Sequence, residues 1–404
     1  MVLLFIIMNP TAFADKKVSG RIFFDKEQLQ MSKKVGKIKV GIIFGGRSGE
    51  HDVSLVSAAS IMKALDKDKY EIIPIGITRT GVWLTDVTTE MMQNYSKTRN
   101  KSALKGARKV VFSSDTENTG LIVLNDDGKN ELIKLDVVFP INHGTYGEDG
   151  TLQGMLDQAD MPYVGCGVIA SAAGMDKTIA KKLFKDSGLA IAPYVEILRC
   201  DWRYEPDKAI AKIEKELGYP CFVKPVNSGS SVGITKAHNK EELKKAMFEA
   251  CKYDRKVLVE KAINAREIEV SVMGNDHPKA SLPGEIVPCN EFYDYSAKYI
   301  DDKSKLEIPA KLPEDLIRKI RESAVIAYKS LDGAGLARVD FFVEKETNQI
   351  IINEINTLPG FTSISMYPKL WEATGLPYGK LLDELIELAM ERYKDKQESL
   401  ASVA

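Results

Sequence analysis

Asp340 in LARVDFFV and Glu354 and Asn356 in IINEIN set oxygen-bearing side chains inside two strongly apolar runs. Glu354 and Asn356 stand two positions apart, which in a strand puts both on one face. Two carboxylates and an amide, with no histidine or cysteine among them, make an oxygen-only donor set suited to a hard cation such as Mg²⁺. Taken singly, each residue reads equally well as a solvated strand end. Acids inside apolar strands are costly unless paired or coordinated, so together they favour a site. Pro359-Gly360 then breaks the strand, and Thr362, Ser363 and Ser365 follow with hydroxyls and exposed N–H groups that suit a carboxylate or phosphate. The order is metal, then anion.

A second set lies in the middle of the chain. In PCFVKPVNSGSSVGITKA a strand carrying Lys224 runs into a Gly/Ser loop, and a further strand is expected from Val232. Strand, loop, strand is a phosphate clamp distinct from the strand-loop-helix type, and the hydroxyls of Ser228, Ser230 and Ser231 let it close over a triphosphate. A solvated hairpin is the plain alternative, but Lys224 inside an apolar strand counts against it. Glu260-Lys261 at a strand exit can bond an adenine edge and ribose hydroxyls or form a surface ion pair; Glu267 and Glu269 share one face of the next strand. Near the start, KVGIIFGG reads as a buried parallel strand ending in glycines, with a helix expected from Ser54 to Leu65. A helix N-terminus favours acids, which accounts for Asp52 but leaves Glu50 available for a substrate ammonium. His143 ends another buried strand, where an α/β sheet binds ligands, although a lone histidine is more often structural.

The elements that position these residues follow from length and pattern. At 404 residues the chain exceeds what one core usually holds, so two or three domains are expected. Hydrophobic residues make up 44% and charged residues 28%, and 56 basic side chains nearly cancel 57 acidic ones, which argues against a nucleic-acid or membrane surface. The five cysteines, Cys166, Cys200, Cys221, Cys251 and Cys289, are scattered and odd in number, as in a reducing compartment. Residues 1–35 are expected to be a dispensable, disordered extension, with Met31 an alternative start. The stretch from Asp86 to Lys109 reads as a surface insertion, Thr151 to Gln158 and Leu312 to Leu331 as helices, and EFYDYSAKYIDDKSK as an ordered loop.

Lys224 with GSSVG, Glu260-Lys261, Arg338-x-Asp340 and Glu354-x-Asn356 together resemble the ATP-grasp fold. With FGGRSGEHDVS, HGTYGEDGTLQG, MDK, FYDYSAKY and NEINTLPGFTS added in order, residues 37–390 resemble the D-alanine:D-alanine ligases of peptidoglycan synthesis. The resemblance implies an α/β, three-domain architecture: a Rossmann-like parallel-sheet domain over 36–165, a central subdomain over 166–259, a C-terminal subdomain over 260–392 and a polar tail over 393–404. It implies that Lys177 and Lys224 contact ATP phosphates, that Ser228, Ser230 and Ser231 close over the γ-phosphate, and that Glu260, Lys261 and Glu267 hold adenine and ribose, with Lys298 also at ATP. Asp340, Glu354 and Asn356 would bind two Mg²⁺ or Mn²⁺. Glu50 would receive the first D-alanine's ammonium with His143 nearby, Arg338 and Gly360 would stabilise the oxyanion, Ser365 and Met366 would border the second D-alanine, and Tyr299 would link to Glu50 and Ser230. Ala262 replaces an aromatic that some members stack on adenine. A cytoplasmic homodimer is also implied.

The chemistry suits the residues independently of the family. A carboxylate is a poor electrophile, so ATP must first make it an acyl phosphate, with cations neutralising charge on the moving phosphoryl group. An amine then attacks, and Arg338 with the PGFTS turn can hold the oxyanion. No side-chain nucleophile is needed. A nicotinamide-dependent dehydrogenase is the rival from another class, but GGRSGE is not G-x-G-x-x-G. A non-catalytic ATP-binding protein would leave Asp340, Glu354 and Asn356 without a purpose. Within the family, D-alanine:D-serine and D-alanine:D-lactate ligases are the neighbours; Lys298 and Tyr299, with no histidine in their loop, favour D-alanine as second substrate.

Overall fold

Three groups of apolar strands build three sheets in a computed structural model that describes residues 36–287, 305–362 and 364–401. The helices in chain order are α1 (His51–Ala64), α2 (Thr89–Thr98), α3 (Thr151–Gln158), α4 (Val168–Met175), α5 (Lys177–Asp186), α6 (Arg199–Tyr204), α7 (Pro206–Glu216), α8 (Lys240–Tyr253), α9 (Glu314–Ser330), α10 (Met366–Ala373) and α11 (Tyr378–Ala401).

The first sheet contains β1 (Ile38–Gly45), β2 (Tyr70–Ile77), β3 (Trp83–Thr85), β4 (Arg108–Phe112), β5 (Leu121–Leu124), β6 (Glu131–Ile133) and β7 (Val137–Pro140), in the order β6-β5-β4-β3-β2-β1-β7. It is parallel only at its core, where β1 lies between β2 and β7. The other strands form an antiparallel meander. The run VGIIF is apolar throughout because both faces are covered. Residues of α1 and α11 join Val40, Ile42 and Phe44 in one cluster, and those of α3 join Ile43 and Ile75 in another. The expected surface insertion turns out to be structural: it holds α2, buries Val87 and Met92 in the first core, and reaches β4. The first helix starts at His51, ahead of the Ser54 expected from periodicity, since the first turn carries few apolar residues to signal it.

The second sheet is β8 (Tyr194–Leu198), β9 (Cys221–Pro225), β10 (Thr235–Ala237) and β11 (Lys256–Lys261), in the order β10-β9-β11-β8. Helices α7 and α8 cover its apolar face through Ile210, Ile213, Leu243 and Met247. Its Gly/Ser loop extends to Ile234, so the returning strand begins at Thr235 rather than Val232. The third sheet contains β12 (Ala265–Met273), β13 (Lys279–Ala280), β14 (Gly284–Val287), β15 (Lys305–Glu307), β16 (Leu336–Glu344) and β17 (Ile350–Asn356). Helices α4, α5 and α9 bury Ile268, Val270, Val339 and Phe341 on one face, leaving the other for polar side chains.

Three structural features bear on the expected boundaries. Helices α4 and α5, assigned by sequence to the central block, contribute Ala170, Ala180 and Phe184 to the third core, and β11 runs across the expected break at 259/260. The expected tail from 393 continues α11 to Ala401. Tyr393 and Gln397 bond Asp160, and Lys396 bonds Asp157, so these polar residues serve as anchors.

Candidate active site

The register of the third sheet sets three carboxylates side by side. Glu269 faces Asp340 across β12 and β16, and Asp340 faces Glu354 across β16 and β17. A β-bulge makes this possible: Phe341 pairs with Ile352 and Asp340 with Glu354, so Asn353 is an extra residue. Strict alternation would put Ile352 and Glu354 on the same face; the bulge sends Ile352 into the core and leaves Glu354 on the polar face.

Like charges directly opposite each other repel, and cations must offset them. Arg338 meets Asp340 with both arms of its guanidinium, Nε to Oδ1 and Nη2 to Oδ2, each at 2.7 Å, and Nε lies 3.0 Å from Glu269 Oε2. Burial alone would lower the guanidinium pKa, but Asp340 and then Glu269 hold it well above its ordinary value. Asn356 Nδ2 donates to Asp340 Oδ2 at 2.9 Å, and Lys177 Nζ lies 3.7 Å from Glu354 Oε2. Glu267, Glu269, Asp340, Glu354 and Asn353 help to line a cavity of about 50 Å³. These four carboxylates are of the donor type that a hard divalent cation takes, although among the described residues no three carboxylate, imidazole or thiolate groups already close on one point.

Behind this row is a buried triad. Lys181 Nζ lies 2.5 Å from Glu260 Oε1, and Lys224 Nζ lies 2.7 Å from Glu260 Oε2. Burial would raise the Glu260 pKa, but Lys181 and Lys224 overcome it and hold the carboxyl below its usual range. Burial pushes Lys181 down; Lys224 ends above its usual range because Glu260 outweighs burial. Sequence reasoning assigned Glu260 to adenine and ribose. In the structure both its oxygens meet lysines and the residue is 1% exposed, so Glu260 fixes Lys224. Lys261 is exposed at the end of β11, and Glu267 lines the carboxylate cavity.

The Gly/Ser loop crosses from the second sheet toward the first. Lys177 Nζ donates to Ser228 O at 2.7 Å, and the Ser230 hydroxyl donates to Glu50 Oε1. Ser230 and Ser231 take left-handed φ values of 49° and 58°, a turn that carries both hydroxyls in sequence. Glu50 is the N-cap of α1, yet its side chain makes no capping bond. Its backbone is set by Ser48 Oγ, which accepts from Glu50 N at 3.2 Å and donates to His143 O at 2.7 Å.

The turn after β17 is fastened to the first sheet. Phe361 is fully buried and edge-on to Phe139 at 5.8 Å, and Tyr378 donates to Phe361 O at 2.8 Å. His143 lies between: Nδ1 is 3.0 Å from Leu358 O, and Nε2 is 3.1 Å from Ser57 Oγ. Burial lowers its pKa, so a neutral ring donates from Nδ1 to the carbonyl and accepts the Ser57 hydroxyl at Nε2. Both nitrogens are thus engaged, and the ring ties the Leu358 turn to α1. A Cβ on Gly360 would come within 2.9 Å of Ser365 Oγ, which accepts the Thr362 N–H at 3.0 Å. Met366 packs with Ile286 and Leu370 in a small apolar cluster.

The structure therefore gathers Lys177, Arg338, Asp340, Glu354 and Asn356 around one row, and Glu50 with Ser230 at its edge. Lys298, Tyr299, Ser363 and Cys289 lie outside the described residues. Sequence reasoning missed Lys181, one helical turn from Lys177 on a face shared with buried Thr178 and Phe184, and that spacing was the available signal. It also gave no role to Asn353, whose position depends on a bulge.

A family model described as D-ala D-ala ligase N-terminus matches residues 39–166, and one described as D-ala D-ala ligase C-terminus matches residues 183–387. The chain is 51% identical over 361 residues to a D-alanine–D-alanine ligase from Heliobacterium modesticaldum, covering 89% of this chain and 97% of that protein. It is 50% identical over 370 residues to one from Acetivibrio thermocellus, covering 89% and 97%. A solved D-alanine-D-alanine ligase from Coxiella burnetii superposes with a TM-score of 0.78 at 36% identity, covering 91% of this chain and 97% of that one. The D-Ala:D-Ser ligase VanG from Enterococcus faecalis gives 0.78 at 38%, covering 88% and 100%. Two matched halves, relatives at half identity along nearly their whole length, and a shared fold leave one conclusion: the chain belongs to the D-alanine–D-alanine ligase family and has the ATP-grasp fold.

Proposed function

We propose that the protein joins two D-alanine molecules into D-alanyl-D-alanine at the expense of ATP. A carboxylate oxygen of the first D-alanine attacks the γ-phosphorus, giving an acyl phosphate and ADP. The neutral amine of the second attacks the acyl carbon, and phosphate leaves. Lys177 and Lys224 hold the phosphates, Glu260 keeps Lys224 in place, and Ser228, Ser230 and Ser231 cover the transferring group. Asp340, Glu354 and Asn356 hold two Mg²⁺ or Mn²⁺, which when bound neutralise charge on the phosphoryl group. Glu50 receives the first ammonium, Arg338 and the Gly360 backbone hold the oxyanion, and Ser365 borders the second substrate. The supporting observation is the Glu269, Asp340, Glu354 row faced by Arg338 and Lys177, a concentration of charge that phosphoryl transfer explains.

Relatives at about half identity carry the D-alanine–D-alanine name, whereas the D-Ala:D-Ser neighbour is 38% identical, which favours D-alanine at the second site. Among the described residues no helix is long and apolar enough to cross a membrane. The family resemblance supports action on small molecules in the cytoplasm as a homodimer. Phosphate release from ATP with D-alanine, D-serine and D-lactate, followed by mass spectrometry of the products, tests the reading. Release that depends on D-alanine alone and yields the dipeptide is expected; predominant ester or mixed dipeptide would overturn it.

A further inference from the structure

Asp254 and Lys256 have no part in the steps above, yet each holds one arm of the phosphate clamp. Helix α8 ends at Tyr253, and Asp254 is already extended, with φ −140° and ψ 157°. Asp254 and Lys256, at the entry to β11, therefore project on the same side. An acid is disfavoured at a helix C-terminus, where the helix dipole is negative, so capping of α8 does not account for Asp254. Its partner lies 27 positions away: Oδ2 accepts both the backbone N–H and the side-chain Nδ2 of Asn227, each at 2.8 Å. The aspartate is itself held, since Oδ1 accepts the Lys256 N–H at 3.1 Å and its backbone O accepts Arg199 Nε at 3.1 Å.

Lys256 reaches the other arm. Its Nζ lies 2.5 Å from Asp176 Oδ2 and donates to Thr178 Oγ1 at 3.1 Å. Asp176 caps α5, accepting from Thr178 N at 3.1 Å and Ile179 N at 3.0 Å. The first residue of that helix is Lys177, whose Nζ donates to Ser228 O, next in the chain to Asn227. A backbone bond strengthens the join, for Val226 N donates to Lys256 O at 3.2 Å. The contacts close a ring: Asp254 to Asn227, Ser228 to Lys177, Asp176 to Lys256. The stem of the Gly/Ser loop and the start of α5 are thus both set from one strand entry, and Ser228 and Lys177 meet between them.

We propose that Asp254 is a positioning residue for the nucleotide phosphates. Its paired bonds to Asn227 fix the loop stem where Ser228 meets Lys177, so that the loop and the lysine address one phosphate chain. The carboxylate acts through Asn227 and touches no substrate. The nucleotide half of this inference rests on the ligase reading; the loop half does not.

Hydrogen–deuterium exchange of the full ligand-free chain tests the loop half. Asp254→Ala should speed exchange over residues 227–233 about tenfold while β9 stays protected. Asn227→Ala cuts the side-chain bond from the other end without touching α8, and should give a smaller change in the same segment. Calorimetry with Mg²⁺ and the non-hydrolysable imido analogue of ATP tests the nucleotide half. Asp254→Ala should weaken binding about tenfold, the size of a lost hydrogen bond to a charged group. Asp254→Asn, which keeps an acceptor for the Asn227 N–H, should recover part of that loss. In the Asn227→Ala background Asp254→Ala should cost less than it does alone. Unchanged exchange in the loop segment, or losses in binding that add in full, would overturn the proposal. If Asp254→Ala does not fold, Asn227→Ala and Asp254→Asn decide by the same two readouts, and no change in either would overturn it. A protein that shows these effects but does not turn over D-alanine loses the ligase reading and keeps this one.

Discussion

The two sides of the site are held in different ways. On the third sheet Asp340, Glu354 and Arg338 stand on paired strands, where register and a bulge determine which groups meet. On the other side Glu50, Ser230 and Gly144 stand at a helix start, in a left-handed turn and in a glycine turn, and a hydrogen bond links Ser230 to Glu50. The strand side concentrates charge that must not move, because phosphoryl transfer depends on preset electrostatics. The loop side meets through turns and side-chain bonds rather than paired strands. The same division decides how each side fails when altered.

The largest effects belong to the strand side. Asp340→Asn and Glu354→Gln each remove charge from the row without touching the core, and each should lower kcat by about a thousandfold or more with little change in melting temperature. Steady-state phosphate release and a thermal melt check this; near-normal turnover at ordinary Mg²⁺ would break the metal assignment. Next comes Glu260→Ala, which strands Lys181 and Lys224 beside each other and should destabilise the fold by about 3–5 kcal/mol by denaturant titration.

The pH dependence of the triad has a defined sign. The Glu260 carboxyl is held below its unfolded value, near 4.3, so its stabilisation is present above that value and lost as pH falls through the lowered folded one. Melting temperature should therefore drop in acid, and in Glu260→Gln that acid drop should shrink while stability at neutral pH also falls. A smaller effect is expected on the loop side, where Ser230→Ala removes one charge-assisted bond to Glu50 and should change the KM of D-alanine by about tenfold. The exposed pair Lys208 and Glu205 provides the contrast, and Lys208→Ala should leave melting temperature and turnover unchanged.

What the sequence made legible divides in the same way. Asp340, Glu354 and Asn356 stood out because acids and amides are rare inside runs such as LARVDFFV, and period-2 spacing put the last two on one face. The partners of the row were less visible. Glu269 was seen only as a face-mate of Glu267, since cross-strand register between β12 and β16 leaves no mark in either strand alone. The strands β1 and β7 followed from their apolar runs, but the meander from β3 to β6 did not, because its strands are short and half-exposed. Glu260 was recognised, but not its pairing with Lys181 and Lys224, for these lysines come from α5 and β9, far apart in the chain.

The central claim is that the carboxylate of one D-alanine is activated by phosphorylation at the strand side before the second amine attacks. Turnover with ATP and D-alanine carrying heavy oxygen in its carboxylate tests this directly, because the oxygen that attacks the γ-phosphorus leaves with the phosphate. Mass spectrometry should find one labelled oxygen in each phosphate released and one fewer in the joined carbonyl. Unlabelled phosphate accompanying dipeptide formation would contradict the account.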